Sequence, residues 1–163
     1  MTSVLKVDNI QNSSGTSALT IDSSGTVSLG NPVYFFGHIE AVANYSSTNS
    51  VVDFEAQLDT DSGWSTSTNK YTVPFDGVYL VHLDYIRDGS TSTDASIKIM
   101  HNSTQVSRSY ASGGSGLYPT GSCNAIVVAT ANDTIYAQTA GANAKVWGSS
   151  SEPVGGFSIM RIG

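Results

Sequence analysis

The sequence predicts an all-β fold, a jelly-roll sandwich preceded by a short extended ribbon, on three observations. Hydroxyl, amide and glycine residues dominate the 163 positions, with 26 Ser, 16 Thr, 10 Asn and 16 Gly. That is the inventory of pleated strands and tight turns. Charge is scarce, 12% of residues against about 25% in an ordinary soluble domain, and few Leu, Lys or Glu remain to favour helices. From Pro32 onward, apolar segments recur between turn signals about every 8–12 residues, the spacing of a sandwich or jelly roll.

The first element is the ribbon. Ser13-Ser14-Gly15-Thr16 returns ten positions later as Ser23-Ser24-Gly25-Thr26. Each turn signal is followed by alternating apolar residues, Leu19 and Ile21, then Val27 and Leu29, and Val4, Leu5, Val7 and Ile10 precede them. Short strands joined by Ser-Gly turns follow from this pattern. So small a ribbon cannot bury its own apolar side. Residues 1–32 are therefore expected to pack with identical copies and to attach the protein through Val7, Ile10, Leu19 and Ile21.

Residues 33–163 form the second domain. Strands are expected at 33–43, with its bulky start Tyr34-Phe35-Phe36, and at 51–57. Two more, 70–74 and 77–87, are separated by Phe75-Asp76; in the second, Val78, Leu80 and His82 alternate with Tyr79, Val81 and Leu83, and Val78 and Leu80 are expected to fill the core. Further strands are expected at 97–101, 105–110, 122–130, 134–139 after the Asn132-Asp133 turn, 145–147 and 157–162. Pro74 ends a strand without an orphan donor, and Gly77 permits the corner into the next.

Seven basic against 13 acidic residues give a net charge of −6 and a pI near 4.7, which argues against a nucleic-acid or anionic-membrane role. No apolar run is long enough to cross a bilayer as a helix, and the first residues lack a secretory pattern. Cys123 is the single cysteine; it excludes an internal disulfide and is expected as a buried, inert thiol. Four Asn-x-Ser/Thr sites, at Asn12, Asn44, Asn102 and Asn132, read as turns.

The segment Asn69-Lys70-Tyr71-Thr72-Val73-Pro74-Phe75-Asp76-Gly77-Val78-Tyr79 resembles the centre of the C1q/TNF-like jelly roll, with its aromatic-Thr-x-Pro-x-x-Gly-x-Tyr pattern. Ala131-Asn132-Asp133-Thr134-Ile135-Tyr136 resembles the family's Gly-Asp hairpin, with Asn132 where Gly is usual, and Gly155-Gly156-Phe157-Ser158-Ile159 resembles its closing strand. The resemblance implies a homotrimer, with Tyr136 and Phe157 as candidates for the axis. The opening LKVDNIQNSSGTSALTIDSSGTVSLG is similar to bacteriophage fibre and appendage proteins, and no collagen-like Gly-x-y run precedes the knob. These likenesses imply a virion-surface protein: a trimeric fibre or spike knob that attaches to a host glycan or protein, docked on tail or capsid by its first segment. The alternative is a capsid decoration or head-fibre protein.

No catalysis is expected. The sequence has no H-E-x-x-H, P-loop or dinucleotide motif, and Gly113-Gly114-Ser115-Gly116-Leu117 departs from the nucleophile elbow at its last position. His82 reads as a wall residue, and the carboxylates are dispersed. No cofactor is expected. The one metal candidate is the pair Asp59 and Asp61, two hard oxygens that a calcium ion at the trimer would have to supplement. Strand parity places loops 88–94 and 149–153 at the free tip, together with the insertion 44–68, and places loop 111–121 at the stalk end or flank. Trp64, Asp88, Asp94 and Ser150 are thus the receptor-binding candidates, with Trp147 expected in the core.

Overall fold

The computed structural model describes residues 7–11, 13–29, 33–90, 94–141, 144–151 and 154–163, and all regular structure among them is β. The chain divides into two compact units, Met1–Pro32 and Val33–Gly163.

In the first unit, β1 (Asn9–Gln11), β2 (Ser17–Ile21) and β3 (Val27–Leu29) form an antiparallel sheet in that order. Leu19 stands opposite both Ile10 and Leu29, and Ile21 opposite Val27. The ten-residue repeat has a backbone cause: Gly15 and Gly25 both adopt φ of 84°, which only glycine takes without strain. Asp22 fixes the second turn by accepting from the Ser24 and Thr26 amides, an Asx-type arrangement. Ile10 and Val27 remain about half exposed, at 49% and 56%.

The second unit is a sandwich. It is built from β4 (Tyr34–Ile39), β5 (Ala43–Tyr45), β6 (Glu55–Asp59), β7 (Trp64–Ser65), β8 (Lys70–Thr72), β9 (Gly77–Ile86), β10 (Ala95–His101), β11 (Thr104–Ala111), β12 (Thr120–Ala129), β13 (Thr134–Thr139), β14 (Ala144–Val146) and β15 (Val154–Arg161). One sheet runs β12-β9-β15-β4-β6 and the other β11-β10-β13-β8-β7, while β5 and β14 pair separately. The expected strand 33–43 is interrupted after Ile39, and β7 was not foreseen.

Both sheets contribute to one core. Phe35, Tyr79, Val81, Leu83, Val127, Phe157 and Ile159 from the first sheet meet Tyr71, Ile97, Ile99, Ile135 and Ala137 from the second. The Pro-x-x-Gly-x-Tyr segment earns its residue types here. The Tyr79 phenol donates to the Phe75 carbonyl at 2.7 Å, tying the strand to the corner before it, and a Cβ at Gly77 would collide with the Gly163 carbonyl. One expectation is corrected: Val78 and Leu80 do not fill this core. They stand on the opposite face of β9 from Tyr79 and Val81, and Leu80 is 37% exposed.

Pairing also fixes the two ends. Ala95 lies opposite Ala111, and Thr120 opposite Ile86. Residues 87–90 and the loop 112–119 therefore share one end; residues 91–93 of the first loop lie outside the described residues. The other end gathers the corner 74–77 and the 102 and 132 turns. It also holds Val33, which accepts from the Arg161 amide, and Gly163, which accepts from Val78. Loop 111–121 thus lies at the end distal to Val33, contrary to the parity argument, because β10 and β11 form a hairpin that returns the chain to where β9 left it.

Candidate functional site

The distal end is organised around Arg87, which is wholly buried. Its Nη2 donates to the Gly114 and Leu117 carbonyls at 2.8 and 3.0 Å. The Gly116 amide donates to the Gly89 carbonyl at 2.8 Å, and Gly116 takes the left-handed backbone that closes the turn, φ 84°. A charge-assisted clamp thus holds loop 112–119 to the end of β9. The clamped loop turns large side chains outward: Leu117 is 60% and Tyr118 52% exposed, beside Tyr110 at 59%. The Tyr118 ring meets the Trp147 ring edge to face at 5.4 Å. Sequence reasoning missed Leu117 and Tyr118; the clustered glycines around them were the available signal.

The four predicted receptor residues fare differently. Asp88 is buried, 4% exposed, and paired with Lys145 at 2.7 Å. The bond from Lys145, with those from the Ser90 amide and hydroxyl, outweighs burial and holds its carboxyl below the usual carboxylate range. It braces the loops from inside and presents nothing to a ligand. Asp94 accepts from the Tyr110 phenol at 2.6 Å, and that bond keeps its carboxyl low. Ser150 is exposed at the same end. Trp64 is elsewhere. It pairs with Tyr71 in β7–β8, its ring stacks on Phe35 at 4.6 Å and meets Phe54 and Phe157 edge on. It is a core-edge residue near the Val33 end and offers no stacking face at the tip.

Phe157, predicted at a trimer axis, is fully buried between the sheets, stacked on Phe54 at 5.3 Å. Inward-facing β15 positions cannot reach a second chain. Tyr136 is 6% exposed beneath the Lys70 ammonium, 4.3 Å from its ring centre. The metal candidates are engaged by their own chain. Asp59 accepts from the Gly63 and Trp64 amides and Asp61 from the Tyr71 phenol at 2.8 Å. Burial, ahead of that bond, raises the Asp61 carboxyl. Among the described residues no group of three His, Cys, Asp or Glu is placed to hold a metal ion. Cys123 is half-buried rather than buried.

A second surface emerges on the outer face of the β12-β9-β15-β4-β6 sheet. Register aligns Ile126, Leu80, Met160 and Tyr34 in one row, and Asn124, His82, Ser158, Phe36 and Leu58 in the next. Ile126 and Val128 are 69% and 77% exposed, while β12 turns Gly121, Cys123, Ala125, Val127 and Ala129 inward. Across the rest of the same face, from β9 to β6, Tyr34, Phe36, Leu58, Leu80, His82 and Met160 line a hollow of about 260 Å³. An exposed apolar surface of this kind marks an interaction site.

No protein-family model matches the sequence, and no curated protein matches it. Solved structures do. Murine APRIL crystallised at pH 5.0 superposes with a TM-score of 0.64 at 14% identity, covering 81% of this chain and all of that one. The Eiger TNF of S. frugiperda gives 0.64 at 12% identity, covering 81% and 93%. The globular domain of the zebrafish complement 1qA protein gives 0.58 at 14% identity, covering 82% and 98%. The fold is therefore the TNF/C1q-type jelly roll.

Proposed function

We propose that this chain is the trimeric knob protein of a bacteriophage fibre or spike, covering its apolar sheet face with further copies of itself and attaching to the host surface through the Arg87-clamped loop end. One observation carries the assembly half: β12 turns Ile126 and Val128 outward, while Val127 is its one larger aliphatic residue facing the core, an arrangement a monomer's own core does not explain. The projecting β12 side and the hollow from β9 to β6 occupy different parts of one face. A head-to-tail contact between them closes into a ring of three where the rotation from copy to copy is a third of a turn. The virion half is supported by the likeness of the opening segment to phage appendage proteins, and by a net charge of −6, unsuited to nucleic acid. The attachment half is supported by Leu117 and Tyr118, large side chains held outward in a loop whose conformation is prepaid by a buried guanidinium.

Immunolabelled virions test the location, and purified protein added to host cells tests the attachment. Binding that falls at least about tenfold on replacing Leu117 and Tyr118 together by Ser, with unchanged thermal unfolding, supports the reading. Wild-type protein that binds no cells but labels capsids in many copies supports decoration instead.

A further inference from the structure

On the assembly face, His82 is the titratable member of the row that also holds Asn124 and Ser158. Its Nδ1 lies 2.6 Å from Asn124 Oδ1 and its Nε2 3.4 Å from Asp84 Oδ1. Its side chain is 42% exposed, and that of Asp84 46%. Leu80, Met160 and Phe36 are its apolar neighbours by register. From β12 it is faced by Asn124 and Ser122, and from β15 by Ser158, none of them charged; on its own strand it is faced by Asp84. Across the face, at the β4–β6 side, stand His38, Glu40 and Glu55, with His38 Nε2 3.5 Å from Glu40 Oε1.

The tautomer follows from the acceptor. Asn124 Oδ1 can only accept, so Nδ1 carries a hydrogen. In the neutral ring Nε2 then presents a lone pair toward the Asp84 carboxylate, acceptor against acceptor. Adding a proton at Nε2 converts that opposition into an N–H donor facing a carboxylate, and both ring nitrogens are satisfied. On the exposed face water screens the difference. Once a second copy covers the face, an uncompensated carboxylate per copy becomes costly, whereas the imidazolium–carboxylate pair is neutral and hydrogen-bonded.

We infer that self-association of this protein takes up protons at His82, so that the assembly is tighter in mildly acidic than in mildly basic solution. The inference rests on the self-association proposed above. Histidine is the side chain that titrates in that interval, and a site protonated more fully in the assembled state shifts the equilibrium toward assembly as pH falls.

Sedimentation equilibrium of the full chain at pH 6 and pH 8 tests it, for wild type, His82→Gln and Asp84→Asn. The concentration for half-assembly of wild type is expected to be at least about tenfold lower at pH 6. In His82→Gln that dependence collapses to less than about twofold, which also separates His82 from His38 and His101. Asp84→Asn, lacking the carboxylate, assembles at pH 8 at least as tightly as wild type does at pH 6. A wild-type protein that assembles equally at both pH values, or a His82→Gln protein that keeps the full dependence, overturns the inference while leaving the assembly intact. A protein monomeric throughout overturns both.

Discussion

The two sheets of the knob share one core yet carry opposite outer surfaces. On the β11-β10-β13-β8-β7 sheet the outward positions include Lys98, Arg108, Gln138 and Lys70, each with a partner, and the exposed Tyr110, which donates to Asp94. Lys98 donates to Asn49 at 2.7 Å, Arg108 to Ser96, Gln138 to the Asn49 carbonyl, and Lys70 covers Tyr136. The segment around Asn49 folds over β13, with the Val52 amide on the Ala137 carbonyl. That surface is finished within one chain. On the β12-β9-β15-β4-β6 sheet the outward positions include Tyr34, Phe36, Leu58, Leu80, Ile126, Val128 and Met160, around the polar Asn124, His82 and Ser158. Side chains of that size on a pleated face normally meet another surface. One outer face is mostly polar and bonded within its own chain, the other mostly apolar.

The largest expected effect sharpens the distinction between inward and outward residues. Phe157→Ala removes a ring packed against Phe35 and Phe54 and is expected to cost about 3–5 kcal/mol in denaturant unfolding. The loss should be independent of protein concentration. A loss that vanished at low concentration would return Phe157 to an interface.

Next in size is the clamp. Arg87→Leu leaves the Gly114 and Leu117 carbonyls without their donor, for an expected cost of about 1–3 kcal/mol. Amide hydrogen exchange should rise first in residues 112–119. Equal acceleration across both sheets would show that Arg87 supports the core rather than the loop.

The smallest effect concerns the Val33 end, away from both surfaces. Asp133 accepts from Asn102 Nδ2, the Thr130 amide and His101 Nε2, and those bonds, Asn102 first, hold its carboxyl well below the usual range. A carboxyl lower in the folded than in the unfolded chain stabilises above the ordinary carboxylate range, and the contribution is lost as pH falls below about 4. Asp133→Asn should therefore be less stable than wild type at pH 6, the gap narrowing toward pH 2. A constant gap in thermal unfolding across that range would contradict the ion-based account.

Much of this was legible in residue order. The Ser-Gly period, the strand at 134–139 and the corner at Pro74–Gly77 follow from local chemistry, and local chemistry is what a sequence displays. The misreadings share another cause. Trp64 sits among Asp, Ser and Gly, yet a two-residue strand pairs it with Tyr71 and draws its ring over Phe35; that pairing is tertiary. Asp88 looked like a tip acid, but its partner Lys145 is 57 positions away. Loop 111–121 was placed at the wrong end because end assignment depends on counting every strand. The apolar outer face did leave a trace: β9 is apolar at both parities from Val78 to Val81, and β12 reads Ala-Ile-Val-Val-Ala, with the larger residues split between faces.

The most direct test of the central claim is sedimentation equilibrium of wild type beside Ile126→Arg and Arg108→Ala, one change on each outer face. With a chain of 17.0 kDa, wild type is expected at about three times that mass. Ile126→Arg should weaken association by about 100-fold or more with its fold intact, and Arg108→Ala should change it by less than about threefold. Wild type sedimenting as a single chain at every concentration, or association lost with Arg108→Ala and kept with Ile126→Arg, would contradict the account.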